Sequence, residues 1–167
     1  MSKRLIEFEK KADYETLKAW CLTIYDFLLS LDPVFLIEVA WAKACIQKAD
    51  KTKNRRFLIS IYRETNTIIR ENYLSSEIMK ELNRRLLEKF EYSFAKVVEE
   101  ENEMIDLIIK RGKIRNDREF EIMKRREDEI YADDSQQEYA EVLRNLLADY
   151  EGNNALHNND GISGDGS

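Results

Sequence analysis

A chain of 167 residues with 43% hydrophobic side chains can bury one core, and its 36% of charged residues suits helices with broad solvated faces better than a β-sandwich. Its 5 glycines and 1 proline argue against an architecture of many strands and turns, so the composition predicts an all-α fold. The net charge of -6 excludes a global positive field for nucleic acid but is compatible with a local basic patch.

The first part of the chain carries helix-start signals at regular intervals. Ser2 to Ala12 has the pattern of a short amphipathic helix, and Asp13 is placed to cap the helix that follows. Asp32 can cap a further helix that has Pro33 at its first position, where the missing N–H costs nothing. Between these caps, apolar side chains recur at helical spacing: Leu17, Trp20, Cys21, Ile24, Phe27, Leu28 and Leu31.

The segment from Pro33 to Ala49 is apolar on nearly every side. A helix of this kind is normally central in a fold, so we expect it to be buried all round. We expect Trp41, like Trp20, to be a core residue rather than part of a cofactor site. The alanines at alternate positions from 40 to 44 would let a neighbouring helix approach closely.

A basic stretch follows between residues 48 and 56. It is predicted to be a solvated loop that runs into a helix beginning near Asn54 and ending around Asn72. Because clustered cations bind phosphates without sequence preference, the stretch also supplies candidate nucleic-acid contacts. No aromatic side chain is interleaved for base stacking, which favours the loop interpretation. The candidate contacts are Lys51, Lys53, Arg55 and Arg56.

The stretch from Ser75 to Gly112 is predicted to be one long amphipathic helix, or two helices that meet near Glu99. Ser75 is a good N-cap, and Gly112 fits the position after the last turn. The long apolar stripe suggests a seam for a homodimer. The acidic run in its middle is interpreted as a solvated face or as a docking surface for a basic partner, with four candidate residues: Glu99, Glu100, Glu103 and Asp106.

Two helices in an antiparallel hairpin are predicted between residues 113 and 151. Asn116 with Glu119 fits a capping box, and so does Ser135 with Glu138. Residues 152–167 are polar and rich in glycine, so they are predicted to be disordered. The sequence thus predicts a helical bundle over residues 1–112 with a long central helix, a C-terminal hairpin over 113–151 and a tail.

Three segments of the predicted hairpin form a recognisable pattern: Ile114 to Phe120 (IRNDREF), Arg126 to Ile130 (REDEI), and Glu138 to Glu151 (EYAEVLRNLLADYE), which closes on a Tyr-Glu pair. With these segments the hairpin resembles that of HigA-type antitoxins. The resemblance implies a hairpin used for partner contact, since such antitoxins neutralise a toxin that cleaves messenger RNA and repress their own promoter. The polar tail stands where the family has its DNA-binding domain, so no DNA-binding or toxin-blocking residue is carried over.

Familiar catalytic motifs are not found. His157 is the single histidine, which excludes histidine triads and HExxH zinc sites, and no phosphate-binding glycine loop is present. We therefore predict no cofactor and no metal site. An enzyme using Glu99, Glu103 and Asp106 is the least favoured alternative, because acid-base catalysis needs carboxylates in a dry pocket.

The sequence favours a non-catalytic protein-interaction protein, either antitoxin-like or an accessory factor. The alternative is a nucleic-acid-associated protein that uses the basic 48–56 segment. The N-terminus has charges where a secretory signal would be apolar, and no segment is long and apolar enough to span a membrane. We expect a cytoplasmic protein, in which Cys21 and Cys45 are buried free thiols.

Overall fold

The computed structural model describes residues 7–72 and 74–159, and within these ranges the chain forms eight α-helices and two short 3-10 turns, with no strand. The all-α prediction is confirmed. Residues 2–6 of the predicted first helix lie outside the described ranges. The helices are α1 (Glu7–Lys11), α2 (Tyr14–Leu31), α3 (Leu36–Asp50), α4 (Arg55–Glu71), α5 (Ser76–Phe90), α6 (Phe94–Arg111), α7 (Asp117–Ile130) and α8 (Gln137–Asn159).

Most helix starts lie where the local chemistry predicts them. The side chain of Asp13 accepts a hydrogen bond from the Thr16 N–H at 2.8 Å, and Asp32 caps the 3-10 turn Pro33–Phe35 in the same way. Each such bond satisfies one of the unpaired N–H groups of the first turn. Side-chain caps of the same kind begin three further helices, and they are supplied by Asn54, Ser75 and Asn116.

The internal contacts divide the chain into two compact units, Met1–Glu99 and Glu100–Ser167. The division falls within α6, earlier than the boundary expected at Gly112. The domain limits of 1–112, 113–151 and 152–167 stay a prediction.

The core of the first unit is organised around α2, which packs against α3, α4 and α5. Trp20 of α2 is fully buried, and its ring centroid lies 4.9 Å from that of Phe8 and 5.4 Å from that of Phe90. The indole N–H donates to Asn66 Oδ1 of α4 at 3.0 Å, which satisfies its one polar atom. The central helix is therefore α2, and the expectation that the segment from Pro33 to Ala49 is central and buried all round is wrong.

The stretch from Ser75 to Gly112 forms two helices, but they meet at residues 91–93 and not near Glu99. Glu91 ends α5 in the left-handed conformation with a φ of 56°, and its N–H donates to Leu87 O. The Ser93 side chain then accepts from the N–H of Lys96 in the first turn of α6. The helix is continuous through the acidic run of residues 99–103, because side chains on its apolar face remain buried on both sides of that run.

The apolar stripe of α5 and α6 is largely buried within the chain. Its largest members are buried: Leu82, Leu86, Phe94, Val97, Met104, Ile105 and Ile108. These side chains are packed within the chain, and a homodimer seam along this stripe stays a prediction.

In the second unit, α7 and α8 form the predicted antiparallel hairpin. Arg144 Nε donates to Glu127 Oε1 at 2.9 Å, and the Tyr150 hydroxyl donates to Asp117 Oδ1 at 2.6 Å. Asp117 begins α7 and Tyr150 lies late in α8, so the two helices run in opposite directions.

Two details of the hairpin differ from the prediction. Asp133, rather than Ser135, caps the turn between the helices, because its carboxylate accepts from the Ser135 N–H and hydroxyl. The second helix also continues past Gly152 to Asn159, so the expectation of disorder is wrong for residues 152–159. The remaining residues of the predicted disordered tail, 160–167, lie outside the described ranges.

Candidate protein-interaction surface

The most distinctive surface of the chain is the outward side of α3. One side of this helix is buried and is formed by Val39, Ala42, Ile46 and Ala49. The opposite side is also apolar, yet Leu36, Ile37 and Trp41 are 58%, 80% and 53% exposed. Trp41 is thus not a core residue, which corrects the expectation from the sequence. Neighbouring α2 and α4 cover only one side of α3.

Helical geometry places these exposed side chains on one face. With about 100° of rotation per residue, positions 37, 41 and 44 follow one another along the helix, and positions 36 and 40 lie beside them. Val34, in the preceding turn, extends the surface and is 68% exposed. We call this surface the α3 outer face, and it consists of Val34, Leu36, Ile37, Ala40, Trp41 and Ala44.

Single exposed hydrophobic residues are normal on protein surfaces, but neighbouring ones on one helix are not. The other large hydrophobic side chains that are exposed are distributed over α2, α5, α6, α8 and the turn after α7. A contiguous patch of a few hundred Å² typically marks an interaction site. The α3 outer face is therefore the best candidate for a functional surface in the described part of the chain.

Charged residues border the α3 outer face. Glu38 and Lys48 are exposed near its two ends, and neither forms an ion pair with another residue that the structure describes. Lys43, on the opposite edge, is 3.2 Å from Asp26 Oδ1 of α2. An apolar centre with a polar rim is the usual anatomy of a protein interface.

The basic segment is shorter as a loop than predicted, because α3 continues to Asp50. Lys53 is occupied within the chain: its Nζ lies 3.0 Å from Glu15 Oε1 and 4.9 Å from the centroid of the Tyr14 ring. Arg55 is occupied as well, while Lys51 and Arg56 are exposed. Two of the four candidate nucleic-acid contacts thus already have partners, and the nucleic-acid interpretation stays a prediction.

Arg55 closes the end of α1. Its guanidinium donates to the carbonyl oxygens of Glu9 at 2.8 Å and Ala12 at 2.9 Å. These carbonyls belong to the last turn of a helix, where no N–H of the helix itself is available to them. The role of Arg55 in the described structure is therefore to connect α4 to the end of α1.

Arg55→Ala should lower the free energy of unfolding by about 1–2 kcal/mol, because charge-assisted hydrogen bonds to the carbonyls of α1 are lost. Thermal unfolding of the full chain measures this change. Arg56→Ala is the matched control: it removes an exposed neighbour and should change stability by no more than about 0.5 kcal/mol. Equal effects of the two substitutions would contradict the assigned role of Arg55.

The four acidic candidates do not share one environment. Glu99 is exposed and lies 3.2 Å from Lys96 Nζ, whereas Glu100 is buried. Glu103 and Asp106 are exposed further along α6. As placed here, the Glu100 carboxylate is not open to a basic partner, and the acidic docking surface stays a prediction for the other three.

Some of the residues that carry the antitoxin resemblance lie together at the open end of the hairpin, namely Ile114, Asn116, Asp117, Phe120 and Tyr150. The ring of Phe120 stacks on that of Tyr150 with centroids 5.4 Å apart, and Tyr150 also donates to Asp117. Asn116 caps α7, and Ile114 is buried. A groove of about 350 Å³ opens beside Tyr150, and its lining includes Lys113 and Asp149. These motif residues thus pack the two helices together.

The described residues offer no evident catalytic centre. Burial raises the pKa of the Cys21 thiol to about 12, so it stays protonated at neutral pH and is a poor nucleophile. Cys21 and Cys45 are free thiols, as expected, although Cys45 is only half-buried. In the same part of the chain, no group of three or more candidate side chains could hold a metal ion. His157 is exposed in the last turn of α8.

None of the helices in ranges 7–72 and 74–159 has both the length and the apolar character that crossing a bilayer requires. Comparisons with protein-family models, with curated proteins and with solved structures found no significant match.

Proposed function

We propose that this chain is a non-catalytic protein-interaction protein that docks a protein partner on the α3 outer face. The observation that carries the proposal is the exposure of Leu36, Ile37 and Trp41 on one side of a single helix. Full burial of such a side chain contributes about 1.5–3 kcal/mol, and roughly half or more of that is still to be gained at these three positions.

The geometry favours a helix as the docked element. Ala40 and Ala44 are exposed one turn apart between the larger side chains, and small residues let a second helix approach closely. The large side chains beside them can enter the grooves of such a helix. Such a contact packs the side chains of one helix into the grooves of the other, with anchors at helical spacing.

A pull-down with the tagged full chain at native expression level, after nuclease treatment and a moderate-salt wash, tests this proposal. We expect wild-type chain to retain a stoichiometric protein partner and Ile37→Asp to lose it, because the substitution puts a charge at the most exposed position of the face. Circular dichroism should show unchanged helix content, since Ile37 makes little contact with the core.

Leu87→Asp is the control. Leu87 is 51% exposed on α5, so the same change in charge is made at a comparable position away from α3. This variant should retain the partner. If Ile37→Asp and wild type capture the same proteins in the same amounts, the α3 outer face is not the docking surface and the proposal fails.

The antitoxin-like role is a narrower form of this proposal and rests on the resemblance over residues 114–151. It is supported by the position of the motif residues, since Phe120 and Asp117 both contact Tyr150. It requires that a captured partner cleaves messenger RNA and that the added chain inhibits the cleavage. A partner without ribonuclease activity removes this narrower role and leaves the interaction proposal intact.

A further inference from the structure

We infer that the partner on the α3 outer face is a second copy of this chain, with the two α3 helices packed antiparallel about a two-fold axis. This inference rests on the proposed function and names the occupant of the same surface. Three observations favour a second copy: the distribution of side-chain sizes along the face, the positions of its charges, and the apolar character of α3 all round.

The sizes of the side chains are complementary only in the antiparallel arrangement. The N-terminal half of the face carries the large apolar side chains of Leu36, Ile37 and Trp41, whereas the C-terminal half carries Ala44 and, in line with Ile37 and Trp41, the exposed Lys48. Antiparallel packing sets Trp41 opposite the small Ala44 of the other copy. It also sets Ile37 opposite the methylene stem of Lys48. Parallel packing would set large against large and leave a gap at the other end, which close-packed interfaces avoid.

The charges are also complementary in the antiparallel arrangement. Glu38 lies near the N-terminal end of the face and Lys48 near the C-terminal end, on the same edge of the helix as Trp41. In a two-fold antiparallel pair, each edge meets the same edge of the other copy in the reverse direction. Glu38 of each copy therefore faces Lys48 of the other, which gives two ion pairs. In a parallel two-fold pair each edge meets the opposite edge of the other copy, so Glu38 and Lys48 would not be brought together.

These ion pairs would fix orientation more than they would add affinity. Exposed pairs contribute little, but only the antiparallel arrangement brings these opposite charges together. Both groups are available, because neither forms an ion pair with another described residue of its own chain. On the other edge, Lys43 is paired with Asp26 and contributes no unbalanced charge.

The size of the face predicts a weak dimer. A face of six residues is small beside the roughly 20–30 residues that each partner contributes to a standard interface. We therefore expect a monomer–dimer equilibrium that depends on concentration. In such a dimer, the apolar side chains on both sides of α3 would be covered.

Carbodiimide cross-linking tests the arrangement directly, because it joins a carboxylate to an amine with no spacer. Within one α3 helix, Glu38 and Lys48 are ten residues apart, which is roughly 15 Å and too far to be joined. A Glu38–Lys48 cross-linked peptide must therefore come from two copies. We expect it in the dimer band, and mixing isotope-labelled with unlabelled chain should give peptides that contain both labels.

Sedimentation and light scattering of the full chain over a concentration series give the dissociation constant. Ile37→Asp should weaken the dimer about tenfold or more, and Leu87→Asp should leave it unchanged. Glu38→Lys and Lys48→Glu should each weaken it, and the double variant Glu38→Lys/Lys48→Glu should restore it. In a parallel dimer Glu38 and Lys48 do not meet, so the double variant would not restore what a single charge reversal weakens.

Two results would overturn the inference. A monomer mass at every concentration up to the solubility limit excludes the second copy, and charge reversals without effect on a real dimer exclude the antiparallel arrangement. Neither result touches the proposed function if Ile37→Asp still loses another protein partner in the pull-down. If Ile37→Asp changes neither self-association nor capture, both the inference and the proposed function fail.

Discussion

Trp20→Ala should lower the free energy of unfolding by about 3–5 kcal/mol, the largest loss we expect from any single substitution in the first unit. Trp20 is fully buried at the centre of α2 and contacts the rings of Phe8 and Phe90. Its removal leaves a large cavity and takes the indole donor from Asn66 Oδ1, which lies in a buried side chain. Urea unfolding of the full chain, followed by helical circular dichroism, measures the change.

Trp41→Ala is the matched control because it removes the same atoms from a side chain that is half exposed. At a dilution where light scattering gives the monomer mass, it should cost no more than about 1 kcal/mol. Similar losses for the two tryptophans would mean that α3 is as central as α2, and would contradict the packing described here.

The contrast between the two tryptophans shows where sequence patterns stop being informative. Both lie at helical spacing among apolar neighbours, and both were expected in the core. Periodicity reports that a helix could be buried on a given side. It does not report whether the chain supplies a neighbour for that side. The apolar residues on both sides of α3 did indicate that a neighbour on one side alone would leave some of them exposed. This pattern could have identified the outer face from the sequence.

Helix starts could be predicted because they depend on chemistry within a few residues. Asp13, Asn54 and Asn116 each satisfy an N–H three residues further along, whatever the rest of the fold does. Helix ends were predicted less well. Glu91 ends α5 in the left-handed conformation, a position where glycine is the usual signal, while the apolar period continues from Phe90 to Phe94. Ser93, as the cap of α6, was the clue to this junction.

At Gly152 the sequence predicts a helix end that the structure does not have. A glycine after a regular apolar pattern usually ends a helix, yet α8 continues through it to Asn159. Adding a residue to an existing helix is much easier than starting one, so a single glycine is tolerated. Residues 151–157 are all exposed, so the sequence of this extension has no pattern of buried side chains from which a helix could be predicted.

Removal of the Glu127 carboxylate should weaken the hairpin of the second unit. Glu127 is buried in the hairpin, where Arg144 Nε of α8 donates to it at 2.9 Å and Lys124 Nζ at 3.2 Å. Glu127→Ala removes the acceptor of both and should cost about 1.5–3 kcal/mol. The lower part of this range is expected, because Arg144 is partly exposed and can turn to water. Hydrogen exchange of the α8 amides of Leu143 and Leu147 measures the opening free energy of the hairpin.

Asp128→Ala is the control on the same helix, since the Asp128 carboxylate is exposed and lies 3.0 Å from Lys124 Nζ within α7 itself. Such a pair is worth at most about 1 kcal/mol, so α8 protection should hardly change. If the α8 amides are equally protected from hydrogen exchange in the two variants, Glu127 does not hold the hairpin together.

The effect of Glu127 should also depend on pH in a defined direction. The hydrogen bond from Arg144, followed by that from Lys124, lowers the pKa of the Glu127 carboxyl from its usual value of 4.5. The unfolded state therefore binds the proton first as the pH falls, and the contribution of Glu127 is complete above the unfolded pKa. It is lost as the pH falls through the folded pKa. The difference in α8 protection between wild type and Glu127→Ala should accordingly shrink on acidification, and a difference that stays constant would show that packing, rather than charge, links α7 to α8.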